Sequence, residues 1–108
     1  MDNIIIRGTT PTISYQFTVV NAEELTKAIL TFKKDAVIVV EKDLDSATVT
    51  DHEHGNTVSW KLSQDETLLL YSSGILGMML NWKTPDGTRG ASEEIKVRMK
   101  DNHIAEVI

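Results

Sequence analysis

From Thr57 to Lys100 the chain steps between apolar and polar residues in a rhythm that an extended strand satisfies and a helix does not. Val58, Trp60 and Leu62 alternate with Ser59 and Lys61, and Ile95, Val97 and Met99 alternate with Glu94, Lys96, Arg98 and Lys100. A period of two gives each strand one buried and one wet face, the mark of antiparallel pairing in a half-buried sheet. Two local signals sit between these strands. Ser63-x-x-Glu66 is a capping box, which predicts a short helical turn near 63–70. Thr84-Pro85-Asp86-Gly87 has Pro at the second and Gly at the fourth position, the residues of a type I turn closing a hairpin with a glycine bulge.

The rest of the chain repeats this grammar. Gly8-Thr9-Thr10-Pro11 separates a strand over Asn3 to Arg7 from one over Thr12 to Val19, because Pro11 fixes φ and lacks a donor. Asn21 to Glu24 is a polar turn, and Ala28, Leu30 and Phe32 supply a further in-phase set. Strands therefore recur at the spacing of an all-β sandwich or barrel, about seven or eight in total. A chain of 108 residues, 41% of them hydrophobic, is enough for one such domain over 1–108 and too short for a second.

Composition narrows the function classes. The chain has no cysteine, hence no disulfide, no thiolate nucleophile and no cysteine zinc site, which favours an intracellular or virion setting over secretion. A net charge of -5 gives no overall electrostatic footprint for nucleic acid. The three-residue run Ile4-Ile5-Ile6 is far shorter than a signal-peptide core, and no run approaches a membrane span, so neither export nor a membrane partner is expected.

Catalytic constellations are missing too. Asp51-His52-Glu53-His54 would aim both imidazoles the same way on an extended segment, but it adjoins Gly55-Asn56 and reads as a solvated connection, with no closed ligand set for a metal. The carboxylates fall at turns and on polar faces, where nothing shifts them toward acid–base work. No phosphate-cradling glycine loop and no Gly-x-Ser-x-Gly elbow is present. We expect no enzyme, no cofactor and no metal. Trp60 and Trp82 are in phase with core residues, leaving Tyr71 as the aromatic most open to a sugar ring. A small carbohydrate-binding or host-surface-binding module is accordingly the alternative reading.

A partner surface has a clearer motive. Ile75, Gly77 and Met79 oppose Leu76, Met78 and Leu80, so that strand is apolar or small on both faces, and Val37-Ile38-Val39-Val40 is similar. One core cannot cover both faces of two strands, which makes Val37, Val39, Ile75, Met79 and Tyr71 candidates for contact with another subunit.

The strand ending at Leu62, the capped Ser63 to Leu68 turn, the strand from Gly74 to Leu80-Asn81-Trp82, the Pro-Asp-Gly turn and Ser92-Glu93-Glu94-Ile95 together resemble small proteins of phage and prophage tail modules in Gram-positive hosts. The opening Ile4-Ile5-Ile6-Arg7-Gly8-Thr9-Thr10-Pro11 and Leu30-Thr31-Phe32 extend the likeness over nearly the whole chain. The pattern is also similar to the N-terminal immunoglobulin-like domain of upper baseplate proteins. The resemblance implies an antiparallel immunoglobulin-like β-sandwich that serves as a structural part of a tail or baseplate. Its partners would be other tail proteins or further copies of itself, assembled in the bacterial cytoplasm. It implies no catalytic or binding residues.

Overall fold

The computed structural model describes residues 3–18, 21–35, 37–70, 74–104 and 106–108, and nine strands run through them. They are β1 (Asn3–Ile6), β2 (Thr12–Gln16), β3 (Lys27–Lys34), β4 (Val37–Lys42), β5 (Thr48–Thr50), β6 (Thr57–Lys61), β7 (Gly74–Lys83), β8 (Arg89–Ala91) and β9 (Ile95–Lys100). An α-helix, α1 (Gln64–Leu69), lies between β6 and β7. The strands form an immunoglobulin-like sandwich. One sheet has the order β1-β9-β7-β3-β4 with β8 also on β7, and the other has the order β2-β6-β5.

The expected alternation is what closes the core. Leu30 and Phe32 of β3, Leu76 and Leu80 of β7, and Val97 of β9 point inward from the larger sheet, and Val58 and Trp60 meet them from the smaller. Trp60 is fully buried and its Nε1 donates to the Asp43 carbonyl at 2.8 Å. Both halves of an indole's requirement, apolar packing and a hydrogen-bond acceptor, are thus met.

The capping box forms as expected. Ser63 Oγ accepts from the Glu66 N–H at 3.1 Å and Glu66 Oε1 accepts from the Ser63 N–H at 2.8 Å. Glu66 has a second role, because its carboxylate also takes Lys42 Nζ at 2.8 Å and so ties α1 to β4. Burial pushes the Glu66 carboxyl upward, but the Lys42 and Ser63 donors outweigh it and hold it below its ordinary value of 4.5. A carboxyl depressed in the folded state adds stability that is present above its ordinary pKa and lost as the pH falls through the lowered one. In Lys42→Met, acid denaturation monitored by circular dichroism should show a shallower loss of stability below pH 4.5 than in the parent.

Two features depart from the sequence expectation. The strand predicted after the Pro-Asp-Gly turn is split into β8 and β9, both on the same edge of β7, opposite Asn81–Lys83 and Gly74–Met78 respectively. Ser92 makes the break: its N–H donates to the Leu80 carbonyl at 2.8 Å while its Oγ accepts from the Leu80 N–H at 2.9 Å. The sandwich is also not wholly antiparallel, since β1 lies parallel to β9. The turn itself forms as expected, with the Gly87 N–H donating to the Thr84 carbonyl at 3.0 Å and Gly87 at φ 87°.

Two buried polar side chains pin loops to this frame. Thr67 Oγ1 donates to the Thr9 carbonyl at 2.8 Å and accepts from the Gly8 N–H at 3.0 Å, which fixes the crossing from β1 to β2 against α1. Asn56 sits at φ 50° before β6. Its Nδ2 donates to the Phe17 carbonyl and its Oδ1 accepts from the Ala22 N–H, each at 2.6 Å.

Gly90 on β8 and Gly77 on β7 make a useful contrast. A Cβ at Gly90 would overlap the indole of Trp82, itself held edge-on by Phe17 at a centroid distance of 5.2 Å, whereas a Cβ at Gly77 would meet the flexible end of Glu94. A rigid packed ring cannot yield as a solvated carboxylate can. Thermal unfolding should show Gly90→Ala destabilised by about 2 kcal/mol and Gly77→Ala changed by less than about 0.5 kcal/mol.

Candidate interaction surface

The register of the larger sheet fixes what its outer face presents. On β7 the residues between the buried Leu76, Met78 and Leu80 point outward, and their cross-strand partners line up in rows. One row runs Ile4, Arg98, Ile75 across β1, β9 and β7. The next runs Lys96, Gly77, Lys33, Ile38 across β9, β7, β3 and β4. Further along, Met79 lies beside Thr31 and Glu41, and Asn81 lies beside Ile29. The last row is Arg89, Lys83, Lys27 across β8, β7 and β3.

Two properties stand out. Ile4, Ile6, Ile38 and Ile75 are between 45% and 55% exposed on this face, far more than a covered sheet would leave. Six of the chain's eleven Lys and Arg residues, namely Lys27, Lys33, Lys83, Lys96, Arg98 and Lys100, also point from it, and Arg89 adds a seventh. Among the described residues none of the seven is in a salt bridge, and Arg89 Nη2 donates to Asn81 Oδ1 at 3.3 Å. A chain that is acidic overall therefore has one sheet face on which cations and apolar side chains outnumber carboxylates such as Glu41, beside Thr31, and Glu94, over Gly77. The composition hid this because net charge says nothing of how charge is distributed.

The outer face of the smaller sheet is different in kind. Thr12, Ser14, Gln16, Thr48, Thr57 and Ser59 cover it, with Ser14 and Ser59 hydroxyls 2.8 Å apart. It is wet and nearly uncharged, as a solvated face should be.

The five residues proposed for a partner surface divide. Val37 is 63% and Ile75 55% exposed, and Met79 is half-buried on the outer face. Val39 packs partly against the core, because the register between β3 and β4 slips between Phe32 and Lys33 and leaves Val39 as the extra residue of a bulge. That bulge accounts for the missing alternation in Val37 to Val40, and bulged edges are a common guard on a sheet's open side. Tyr71 lies outside the described residues. Sequence reasoning missed Ile4, Ile6 and the cation rows, which only strand register brings together.

His52 to His54 form a 3-10 turn rather than the extended segment expected, so the backbone lacks the period of two on which the expected alignment rests. The Asp51 side chain caps it, accepting from the His54 N–H at 2.9 Å and lying 2.6 Å from His54 Nδ1. The local competition of Asp with the backbone decides the conformation. Among the described residues no three His, Asp or Glu side chains converge on a point that could hold a metal ion. Trp82 is partly buried, with Phe17 edge-on to its ring and the indole over Gly90. Tyr15 Oη is buried near the Ser92 hydroxyl; burial raises its pKa, and the interaction with Ser92 lowers it in part.

No family model and no curated protein matches the sequence. Among solved structures, CopC from Methylosinus trichosporium OB3b is similar in fold, with a TM-score of 0.58 at 10% identity over 95% of this chain and 87% of that one. Murine CRIg gives 0.43 at 9% identity over 94% and 92%, and the Drosophila OTK extracellular domains 3-5 give 0.38 at 11% over 93% and 31%. At such identities the first likeness bears on the fold alone.

Proposed function

We propose that this chain is a non-catalytic interaction module, a structural part of a phage or prophage tail or baseplate, and that it meets its partner through the outer face of the larger sheet. The observation that carries this reading is the row Ile4, Arg98, Ile75 and its neighbours: half-exposed isoleucines set among cations without salt bridges among the described residues, while the outer face of the smaller sheet is polar. Exposed apolar side chains concentrated on one face of a small domain are the ordinary sign of a contact surface. The tail context is supported by the likeness of the strand, capped turn and Pro-Asp-Gly hairpin to tail-module proteins. Catalysis has no support among the described carboxylates, which cap turns, pair with Lys42 or lie on wet faces. The test is to induce the encoding genome and isolate particles by density gradient. The chain should co-sediment with tail structures on immunoblotting; recovery only as a free 12.0 kDa species would overturn the proposal.

A further inference from the structure

We infer that the outer face of the larger sheet is built for an acidic protein surface, with the Lys27, Lys83, Arg89 row as its anchor. This inference rests on the interaction-module reading and names the chemistry of the partner. Directly opposed residues on adjacent strands hold their Cβ atoms about 5 Å apart, and like charges in that position destabilise a sheet. Three cations are nevertheless placed side by side, Lys83 between Lys27 and Arg89, and among the described residues no carboxylate is in salt-bridge range of any of them. They flank a shallow depression of about 340 Å³, also lined by Ile29, Asn81 and Trp82. Carboxylates seated there would relieve the repulsion and accept from the Lys ammonium and Arg guanidinium donors.

The rest of the face decides the class of partner. Nucleic acid would use the cations but leave Ile4, Ile6 and Ile75 against a phosphate backbone that has nothing apolar to offer them. An anionic bilayer would require apolar side chains to reach past the headgroups, and these isoleucines stand in the same cross-strand rows as the longer Arg98 and Lys100 side chains. A protein surface that mixes Asp or Glu with apolar residues satisfies both sets at once, with the isoleucines as desolvated contacts and the cations steering the approach. A second copy is a poorer match, because many of its acidic residues are spread over the turns at Asp43 to Asp45, Asp51 to Glu53 and Asp65 to Glu66, while Glu41 and Glu94, which do stand on this sheet face, are outnumbered there by cations.

The probe is a random copolymer of glutamate and tyrosine in a 4:1 ratio, titrated into the isotopically labelled full chain and followed by amide chemical shifts. Shift changes should map to β3, β7, β8 and β9 and leave β2, β5 and β6 unmoved, and affinity should fall about tenfold between 50 and 200 mM salt. Lys83→Glu should weaken binding by about tenfold and yet raise the melting temperature by about 2–5 °C, since it places an anion between two cations. Lys61→Glu, on the smaller sheet, should leave binding unchanged. Absence of binding, shifts on the smaller sheet, an unchanged affinity in Lys83→Glu, or tighter binding of duplex DNA or phosphatidylserine vesicles would each overturn the inference. None of these outcomes bears on whether the chain travels with tail particles.

Discussion

Asn56→Ala is expected to lower the unfolding free energy by about 4 kcal/mol, measured by urea denaturation. The side chain is 5% exposed and makes two short hydrogen bonds to main-chain groups on different segments, the Phe17 carbonyl and the Ala22 N–H. Truncation leaves both groups buried without these partners, at about 1–3 kcal/mol each. Alanine would also have to hold φ 50°, which costs a residue with a Cβ about 1 kcal/mol and asparagine less. Asn56→Gly separates the two effects, since glycine removes the same bonds without the conformational strain; it should be the milder variant by about 1 kcal/mol. With whole-domain stabilities of about 5–15 kcal/mol, the alanine variant should be close to unfolded at moderate urea. A loss under about 1 kcal/mol would mean that the end of β2, the Ala22 turn and the start of β6 do not depend on this residue.

Trp60→Ala should cost about 4 kcal/mol, the usual range for emptying a fully buried aromatic site. Trp60→Phe should cost about 2 kcal/mol: most of the packing is kept, but the Asp43 carbonyl loses its 2.8 Å donor. Calorimetric melting of the three proteins checks the order. If Trp60→Phe were as damaging as Trp60→Ala, the hydrogen bond and not the packing would be holding the Asp43 turn against β6.

What the sequence made legible was local. Alternation identified Val58, Trp60, Val97 and Met99 as core, and cap and turn chemistry identified α1 and the Thr84 to Gly87 turn, because these depend on residues a few positions apart. What it hid depends on distant segments. Asn56 stands beside Gly55 at the end of what reads as a solvated connection, and its partners Phe17 and Ala22 are 39 and 34 residues away. The β3–β4 bulge that draws Val39 inward has no signature in a run of four β-branched residues. The basic face escaped notice for the same reason: Lys27, Lys83 and Arg89 become neighbours only through strand pairing, while the acidic residues that set the net charge lie largely on turns. The double-sided apolar character of Ile75 to Met79 was visible in the sequence. Its inner set, Leu76 and Met78, is covered by the smaller sheet, and its outer set joins Ile4 and Ile6 on the open face.

The claim that this open face is where the chain meets its partner is tested most directly by incorporation into particles. Chains carrying Ile75→Ser with Lys83→Glu, or Lys61→Glu alone, would be supplied to the encoding genome in place of the parent, and the particle-bound fraction measured by quantitative immunoblot. The account predicts that the Ile75 and Lys83 variant, folded by circular dichroism, is depleted from particles at least about tenfold while the Lys61 variant is retained at the parent level. Equal incorporation of both would contradict it.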